Sequence, residues 1–201
     1  VIDFATVVYL ARERGRLMYE AGLKQPGGMA AIIGLDEAVL GAICEQAGTR
    51  VANINSPGQI VISGAGENLA RAVDMVKTRG ARAIPLAVSG AFHSPLMQPA
   101  ADGLSRVIAS LDFRPPRVPI VANTTAQPLT SPELIKEELR RQLCNCVRWQ
   151  QSVEYMINNG VTQFIEIGPG KVLTGLIKRI NKEATTTNIG DAAAVRSLAG
   201  T

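Results

Sequence analysis

The clearest pattern in the sequence lies in residues 28–88, which read GMAAIIGLDEAVLGAICEQAGTRVANINSPGQIVISGAGENLARAVDMVKTRGARAIPLAV. Short apolar runs that are typical of β-strands alternate here with segments of helical periodicity. Their order is strand, helix, two strands joined by a Ser-Pro-Gly turn, helix and strand. This order predicts the split βαβ, or ferredoxin-like, unit, a small antiparallel sheet with both helices on one face.

The individual elements of this unit follow from local signals. Asp36 is a good N-cap residue and predicts a helix that runs to about residue 47. A second helix is predicted over 66–78, because its apolar residues share one face. The four strands are predicted at 29–33, 50–54, 59–63 and 83–88.

Ahead of this unit, residues 4–22 are predicted to form a helix, because apolar residues recur at helical spacing. Arg14 interrupts the apolar stripe, three residues after Ala11 and four before Met18. An unpaired charge is costly to bury, so two interpretations stay open. The side chain either snorkels or pairs with a buried carboxylate, or it projects into a cleft and binds an anion.

After the unit, helices alternate with strands, which is typical of an α/β fold with parallel pairing. Phe92, His93, Ser94 and Pro95 fall in the loop that leaves the unit. The predicted helices span 96–110, 132–143, 149–158 and 171–181, and the predicted strands span 119–122 and 163–167. The Thr/Ala-rich tail from Glu183 onward is predicted to be loosely held.

The composition excludes several classes of function. Lys and Arg number 21 against 17 Asp and Glu, and only four Phe, three Tyr and one Trp are available for base stacking. We therefore expect no nucleic-acid binding, while an acidic or phosphorylated partner stays open. Three cysteines and one histidine are too few for a Cys/His zinc site and predict free thiols.

Membrane and targeting signals are also missing from the sequence. No uncharged apolar run approaches the ~18 residues that a membrane-spanning helix needs. Val1 opens the sequence without a charged segment or an apolar leader. We expect no membrane association, and we expect the sequence to begin partway through a longer one.

Gly168-Pro169-Gly170-Lys171 superficially resembles a phosphate-binding loop. A Walker A loop needs Gly five residues before its last Gly, where this sequence has Ile165. It also needs Ser or Thr after the Lys, where this sequence has Val172. We interpret the segment as a strand-to-helix turn, either purely structural or beside an active cleft. His93 is the only histidine, so any imidazole acid–base chemistry must use it.

Several motifs match one enzyme family in order along the chain. They are Arg14-Gly15-x-x-Met18, Gly28-Met29-Ala30-Ala31-Ile32, Asn53-x-Asn55-Ser56-Pro57-Gly58-Gln59, Ala91-Phe92-His93-Ser94-x-x-Met97, Ser152-Val153-Glu154-Tyr155-Met156 and Glu166-Ile167-Gly168-Pro169-Gly170-Lys171. Through these motifs, residues 1–182 resemble the malonyl-CoA:acyl carrier protein transacylases. The resemblance implies ping-pong transfer of a malonyl group from malonyl-CoA to acyl carrier protein, through an acyl-serine and without a cofactor, in fatty acid biosynthesis.

The resemblance also implies a fold and a setting. The fold is α/β, with a large α/β-hydrolase-like acyltransferase domain that is only partly present, in residues 1–27 and 89–201. The ferredoxin-like subdomain, residues 28–88, is inserted into it. We expect a monomer in the bacterial cytoplasm, or in a plastid or mitochondrion.

By position in the motifs, the resemblance assigns roles to five residues. His93 is the general base and then the general acid. Arg14 holds the malonyl carboxylate by charge-assisted, bidentate hydrogen bonds. Met18, Phe92 and Asn55 are substrate-binding residues; Met18 walls the acyl pocket, and the ring of Phe92 leaves little room for an α-methyl group.

Two departures from the family stand out. The carbonyl that orients the family histidine is expected in Asn145-Cys146-Val147-Arg148-Trp149, where Cys and Arg replace the family's usual Pro and Gln. The family's Gly-His-Ser-Leu-Gly nucleophile elbow lies upstream of the match to Val1–Phe4, and no Gly-x-Ser-x-Gly occurs in the 201 residues. The chain is therefore expected to be inactive alone, as part of a transacylase. The alternative is a nucleophile-less module that binds acyl carrier protein or CoA.

Overall fold

A computed structural model describes residues 1–199, which form a mixed α/β fold. The first half contains helix α1 and a region of four strands and two helices. Its elements are α1 Phe4–Lys24, β1 Gly27–Ile33, α2 Glu37–Ala47, β2 Arg50–Ser56, β3 Gln59–Ala65, α3 Gly66–Thr78 and β4 Arg82–Pro85. Asp36 caps α2 as predicted, because its carboxylate accepts the Val39 amide at 2.8 Å.

The second half contains short strands between helices. A 3₁₀ turn over Pro95–Met97 leads into α4. The elements are α4 Gln98–Ala109, β5 Ile120–Val121, β6 Pro128–Leu129, α5 Pro132–Arg141, α6 Trp149–Asn158, β7 Gln163–Ile167, α7 Val172–Ile180, β8 Thr185–Ile189 and α8 Ala192–Ala199.

The strands of the first half form one antiparallel sheet in the order β2-β3-β1-β4. The predicted four-stranded antiparallel sheet is therefore confirmed. Strand β4 ends at Pro85, three residues before the predicted end at Val88, although the Leu86 amide still donates to the Met29 carbonyl at 2.9 Å.

The two faces of this sheet differ. On one face, α2 and α3 cover a core in which Ile32, Leu40 and Ile62 are at most 1% exposed. On the other face, a smaller cluster of Met29, Ala31, Ala52 and Val61 contacts the ring of Phe92. Phe92 also packs against the cluster between α1 and α4, so it joins the two halves of the molecule.

For residues 183–199, the prediction of a loosely held tail is wrong; its last two positions, 200 and 201, lie outside the described residues. Residues Thr185–Ile189 form β8, which pairs in parallel with β7, and α8 follows. The parallel pair confirms the expected α/β character of this half. Three consecutive threonines have high β-propensity, and this signal was available in the tail.

The segment before α6 connects the second half to the four-stranded sheet β2-β3-β1-β4, called the small sheet below. Val147 adds to the β2 edge as a parallel bridge: its amide donates to Ala52 at 2.8 Å, and its carbonyl accepts from Ile54 at 2.9 Å. The next amide, of Arg148, donates to the carbonyl of Asn123 at 2.7 Å. The loop after β5 and the small sheet are thus tied to one short segment.

Candidate active site

His93 lies in the loop between the small sheet and α4, with its side chain half-buried. Its backbone is left-handed, at φ 57°, a conformation that few non-glycine residues adopt. Its Nδ1 lies 2.7 Å from the carbonyl oxygen of Gln142. Because a carbonyl can only accept, Nδ1 carries the proton and Nε2 keeps its lone pair. Nε2 is therefore the atom available as a base.

The surroundings of His93 favour the neutral imidazole. Burial lowers the pKa of His93 below its ordinary value of 6.5, and the positive charge of Arg14 lowers it further. The Gln142 and Asn145 backbone contacts oppose this shift but do not reverse it. A neutral imidazole at neutral pH is the form that a general base requires.

The carbonyl that orients His93 was expected in 145–149; the backbone of Asn145 does contact the imidazole, but the 2.7 Å contact is to a residue that precedes this segment. The close contact is to Gln142, which ends α5 as its C-cap. The last carbonyls of a helix have no partner within the helix, so this one is free to accept from the imidazole. Residue Val147, within the expected segment, uses its backbone for the small sheet instead.

Arg14 lies on α1 and is half-buried. Burial alone lowers the pKa of its guanidinium. The buried carboxylate nearby, Glu13, pairs with Arg16 at 2.7 Å and with Arg12 at 3.5 Å. Among residues 1–199, Arg14 itself forms no ion pair or hydrogen bond. The interpretation that Arg14 pairs with a buried carboxylate is therefore wrong.

The other three expected site residues, Phe92, Met18 and Asn55, differ in burial and in the residues that they contact. Phe92 is half-buried beside His93 and bridges the two apolar clusters. Met18 is only 7% exposed and packs within the α1–α4 core, so little of its surface is available to line a pocket. Asn55 is half-buried in β2 at the second of two register shifts. Such irregularities turn a side chain away from the regular alternation of a strand.

The Gly168–Lys171 turn is occupied by the protein's own carboxylate. Glu166 accepts the amides of Leu173 at 3.1 Å and of Thr174 at 2.8 Å, which lie in the first turn of α7. The contacts with Thr174, through its side chain and then its amide, and with the Leu173 amide hold the pKa of Glu166 below its usual 4.5. The helix N-terminus that a phosphate would need is filled. This agrees with the exclusion of a Walker A loop.

The sequence pattern did not reveal Gln142 and the polar groups behind it. A buried carboxylate, Glu138, lies one turn earlier on α5 and accepts from the loop after β5. The available signal was Glu138 itself, three residues after the buried Ile135 on the inward face of α5.

No cluster of three or more His, Cys, Asp or Glu side chains within residues 1–199 could hold a metal ion. Across the same part of the chain, no helix is both long and apolar enough to cross a membrane. Of the cysteine thiols, Cys146 is the most perturbed, and burial raises its pKa to about 11. All three cysteines are free.

Comparison with known proteins places this geometry in context. The family model for the acyl transferase domain matches residues 3–199. The malonyl CoA-acyl carrier protein transacylase of Bacillus subtilis is 43% identical over 94% of this chain, and that of Escherichia coli O157:H7 is 46% identical over 97%. The chain spans 62% and 65% of the length of those two relatives.

Solved structures give the same likeness. The acyl-carrier-protein-S-malonyltransferase of Bartonella henselae superposes with a TM-score of 0.92 at 40% identity, over 98% of this chain and 64% of that one. A malonyl-transacylase in complex with a type II PKS acyl carrier protein superposes with a TM-score of 0.93 at 42% identity. That superposition covers all of this chain and 67% of the other.

Proposed function

Because the chain belongs to the acyl transferase domain family, we propose that it is part of an enzyme that transfers a malonyl group from malonyl-CoA to acyl carrier protein. The reaction serves fatty acid biosynthesis, in the bacterial cytoplasm or an organelle. The acyl group passes through a serine ester, and the serine belongs to a segment outside these 201 residues. The chain alone is inactive, because it contains no Gly-x-Ser-x-Gly elbow.

The single observation that carries the proposal is the proximity of Arg14 to His93. A half-buried guanidinium without a protein partner lies close enough to the imidazole to lower its pKa. Burying such a charge unpaired is costly, so an anionic group that binds beside His93 would relieve the cost. The free carboxylate of a malonyl thioester is an anion of that kind, and its thioester end would lie near the base.

The chemistry follows from the state of the imidazole. Nε2 of His93 takes the proton of the serine hydroxyl as the oxygen attacks the malonyl thioester carbon, and the CoA thiolate leaves with that proton. The phosphopantetheine thiol of acyl carrier protein then gives its proton to Nε2 and attacks the acyl-serine. The serine oxygen recovers the proton as the ester bond breaks. No cofactor is needed for either half.

Arg14 and the residues around it and His93 select the substrate. Arg14 selects acyl groups with a free carboxylate through a charge-assisted pair. Phe92, beside His93, restricts the space for an α-methyl substituent. Asn55 contacts the substrate from β2, and Met18 supports the acyl pocket from behind through its packing against α4.

We further propose that residues 28–88 form a ferredoxin-like subdomain inserted into a larger hydrolase-like domain made by 1–27 and 89–201. The strand order β2-β3-β1-β4 and the two helices on one face support the first part. The exposed apolar side chains of β7, Ile165 and Ile167, support the second part, since further protein packed against that sheet would cover them.

The decisive experiment is Arg14→Ala in the complete enzyme, assayed with malonyl-CoA and acetyl-CoA. The malonate carboxylate loses its counterion, so kcat/KM for malonyl-CoA is expected to fall by the equivalent of about 2–5 kcal/mol. Acetyl-CoA has no carboxylate, so kcat/KM for acetyl-CoA should fall little. Arg12→Ala, two residues away on the exposed side of α1, is the matched control and should leave kcat/KM for both substrates unchanged. Equal losses for the two thioesters would contradict the proposal.

The absence of a nucleophile elbow from the 201 residues favours one second candidate: a module that binds acyl carrier protein or CoA without chemistry. Joining a family-type N-terminal segment that carries Gly-His-Ser-Leu-Gly separates the two. Malonyl transfer by the joined protein supports the enzyme, and carrier binding with no acyl-serine by mass spectrometry supports the module. A malonyl adduct on a serine of the unextended chain would contradict both.

A further inference from the structure

Glu138 is a buried carboxylate that the proposed chemistry does not use. It is 9% exposed on α5, and three donors surround it. Its Oε1 accepts the backbone amides of Asn123 at 2.9 Å and Thr124 at 3.1 Å. Its Oε2 accepts the hydroxyl of Thr124 at 2.5 Å. Within residues 1–199, no Lys or Arg pairs with it.

The same loop is bonded to the residue that orients the imidazole. The side-chain amide of Asn123 donates to Oε1 of Gln142 at 3.4 Å. One turn of α5 separates Glu138 from Gln142, and the backbone N–H of Gln142 donates to the backbone carbonyl of Glu138 at 2.9 Å. The C-terminal end of α5 is thus held to the loop at two points, one of them charged.

The third connection of this loop reaches the small sheet. The carbonyl of Asn123 accepts the Arg148 amide at 2.7 Å, directly after the Val147 bridge to β2. Asn123 therefore contacts the end of α5 on one side and the anchor of the small sheet on the other. His93, which leaves the small sheet, receives its orienting carbonyl from that same end of α5.

We propose that Glu138 is a positioning residue: its carboxylate locks the Asn123–Thr124 loop to α5 and thereby holds the Gln142 carbonyl against Nδ1 of His93. Charge-assisted hydrogen bonds are stronger than neutral ones and hold a geometry more tightly. Removing the carboxylate would leave two backbone amides without their acceptor. The end of α5 would then be free to shift relative to His93, and the imidazole would lose its tautomer preference.

The proposal concerns the geometry of His93, and its catalytic meaning rests on the proposed function. Because His93 is the only histidine, its ring nitrogens give unique ¹⁵N NMR signals in the 201-residue chain. The wild type is expected to show the Nδ1–H tautomer with a slowly exchanging proton. In Glu138→Ala, the Nε2–H tautomer should become populated, and the Nδ1 proton should exchange about tenfold faster, the factor of an ordinary hydrogen bond.

Three further variants make the result specific. Glu138→Gln keeps an acceptor for the two amides and should restore the wild-type signals. Glu137→Ala removes the neighbouring exposed carboxylate of α5, which pairs with Arg140, and should change nothing at His93. Thr124→Val removes only the 2.5 Å hydroxyl bond and should shift the signals in the same direction, by less. If Glu138→Ala does not fold, the His93 signals of Thr124→Val test the proposal.

Wild-type His93 signals in folded Glu138→Ala, or equal changes in Glu137→Ala, would overturn the proposal. In the complete enzyme, Glu138→Ala should lower kcat about tenfold and leave KM for malonyl-CoA unchanged, since Arg14 is untouched. Absence of malonyl transfer in the wild type would reject the proposed function alone. The NMR comparison would still decide the role of Glu138.

Discussion

The small sheet and the β7–β8 pair bury their apolar residues to very different extents. In the small sheet, Ile32 and Ile62 are at most 1% exposed beneath α2 and α3. In β7, Ile165 is 57% and Ile167 is 80% exposed. The first region completes its core with residues close in sequence. The second leaves apolar side chains exposed, so the two regions should respond differently to the same kind of substitution.

The largest expected effect is on the free energy of unfolding of the small-sheet core. Ile62→Ala removes a fully buried side chain and should cost about 2–5 kcal/mol, by lost burial and a residual cavity. Ile167→Ala removes a mostly exposed side chain and should change the free energy by at most ~0.5 kcal/mol. Urea unfolding of both variants measures the contrast. Equal losses would show that the two regions share a single core, and the comparison would fail.

The next effect tests the contact between the small sheet and the His93 loop. A Cβ on Gly27 would lie 2.5 Å from the Gly64 carbonyl oxygen and 2.8 Å from the Ala91 Cβ. Gly27→Ala should therefore destabilise by about 1–3 kcal/mol through overpacking.

The matched control for Gly27→Ala is Gly41→Ala. Beyond its chain neighbours and the surrounding backbone of α2, nothing lies within 4 Å of a Cβ at Gly41. Alanine is the better helix former, so this variant should gain about 0.5–1 kcal/mol. Thermal melts of the two variants should move in opposite directions, and a shift in the same direction would contradict the tight packing at Gly27.

The smallest expected effect is a pH dependence of the folding stability. It arises from His93, in the loop after the small sheet, and not from the small sheet or the β7–β8 pair. Burial lowers the pKa of His93 in the folded chain below 6.5, so the unfolded chain takes up a proton more readily. The stability contribution is fully present above 6.5 and is lost progressively as pH falls from there through the lower pKa of the folded chain. The carboxyls of Glu13 and Glu166 titrate below 4.5 and stay ionised in this range.

Urea unfolding at pH 7 and pH 5 checks this sign. The wild type should lose stability on acidification. His93→Asn keeps a residue that tolerates the left-handed backbone, has no ionisable ring, and should respond less. An equal response of the two proteins would mean that the loss comes from other groups.

The same contrast explains how far the sequence alone predicts this structure. In the small sheet, periodicity and turn residues act over a few positions, so α3 and the turn at 56–58 were predicted closely. Strands β5 and β6 each have two residues and pair only through tertiary context, so β6 was missed and β5 was predicted too long. In β8, the three threonines favour a strand locally, but its parallel partner β7 lies across an intervening helix, and no local pattern encodes that pairing.

The candidate site divides in a similar way. His93 and Arg14 are candidates from the sequence because a single histidine and an interrupted apolar stripe are visible there; their roles follow from the family resemblance and stay predictions. The Gln142 carbonyl was not, because any residue offers a backbone oxygen and only the end of α5 in space selects this one. The role of Glu138 has the same origin, since its donors lie 14 and 15 residues away in a loop.

The neighbouring positions of β1 and β4 have a consequence for the order of folding. The chain enters the small sheet through β1 and leaves through β4, and these strands pair side by side, with Ala30 opposite Pro85. Closing a long loop costs entropy that grows with its length. Once the sheet has formed, its two ends are already together, so Gly22 meets Ser89 across an effectively short connection. We expect the sheet to form early and to bring α1, with Arg14, up to the loop of His93.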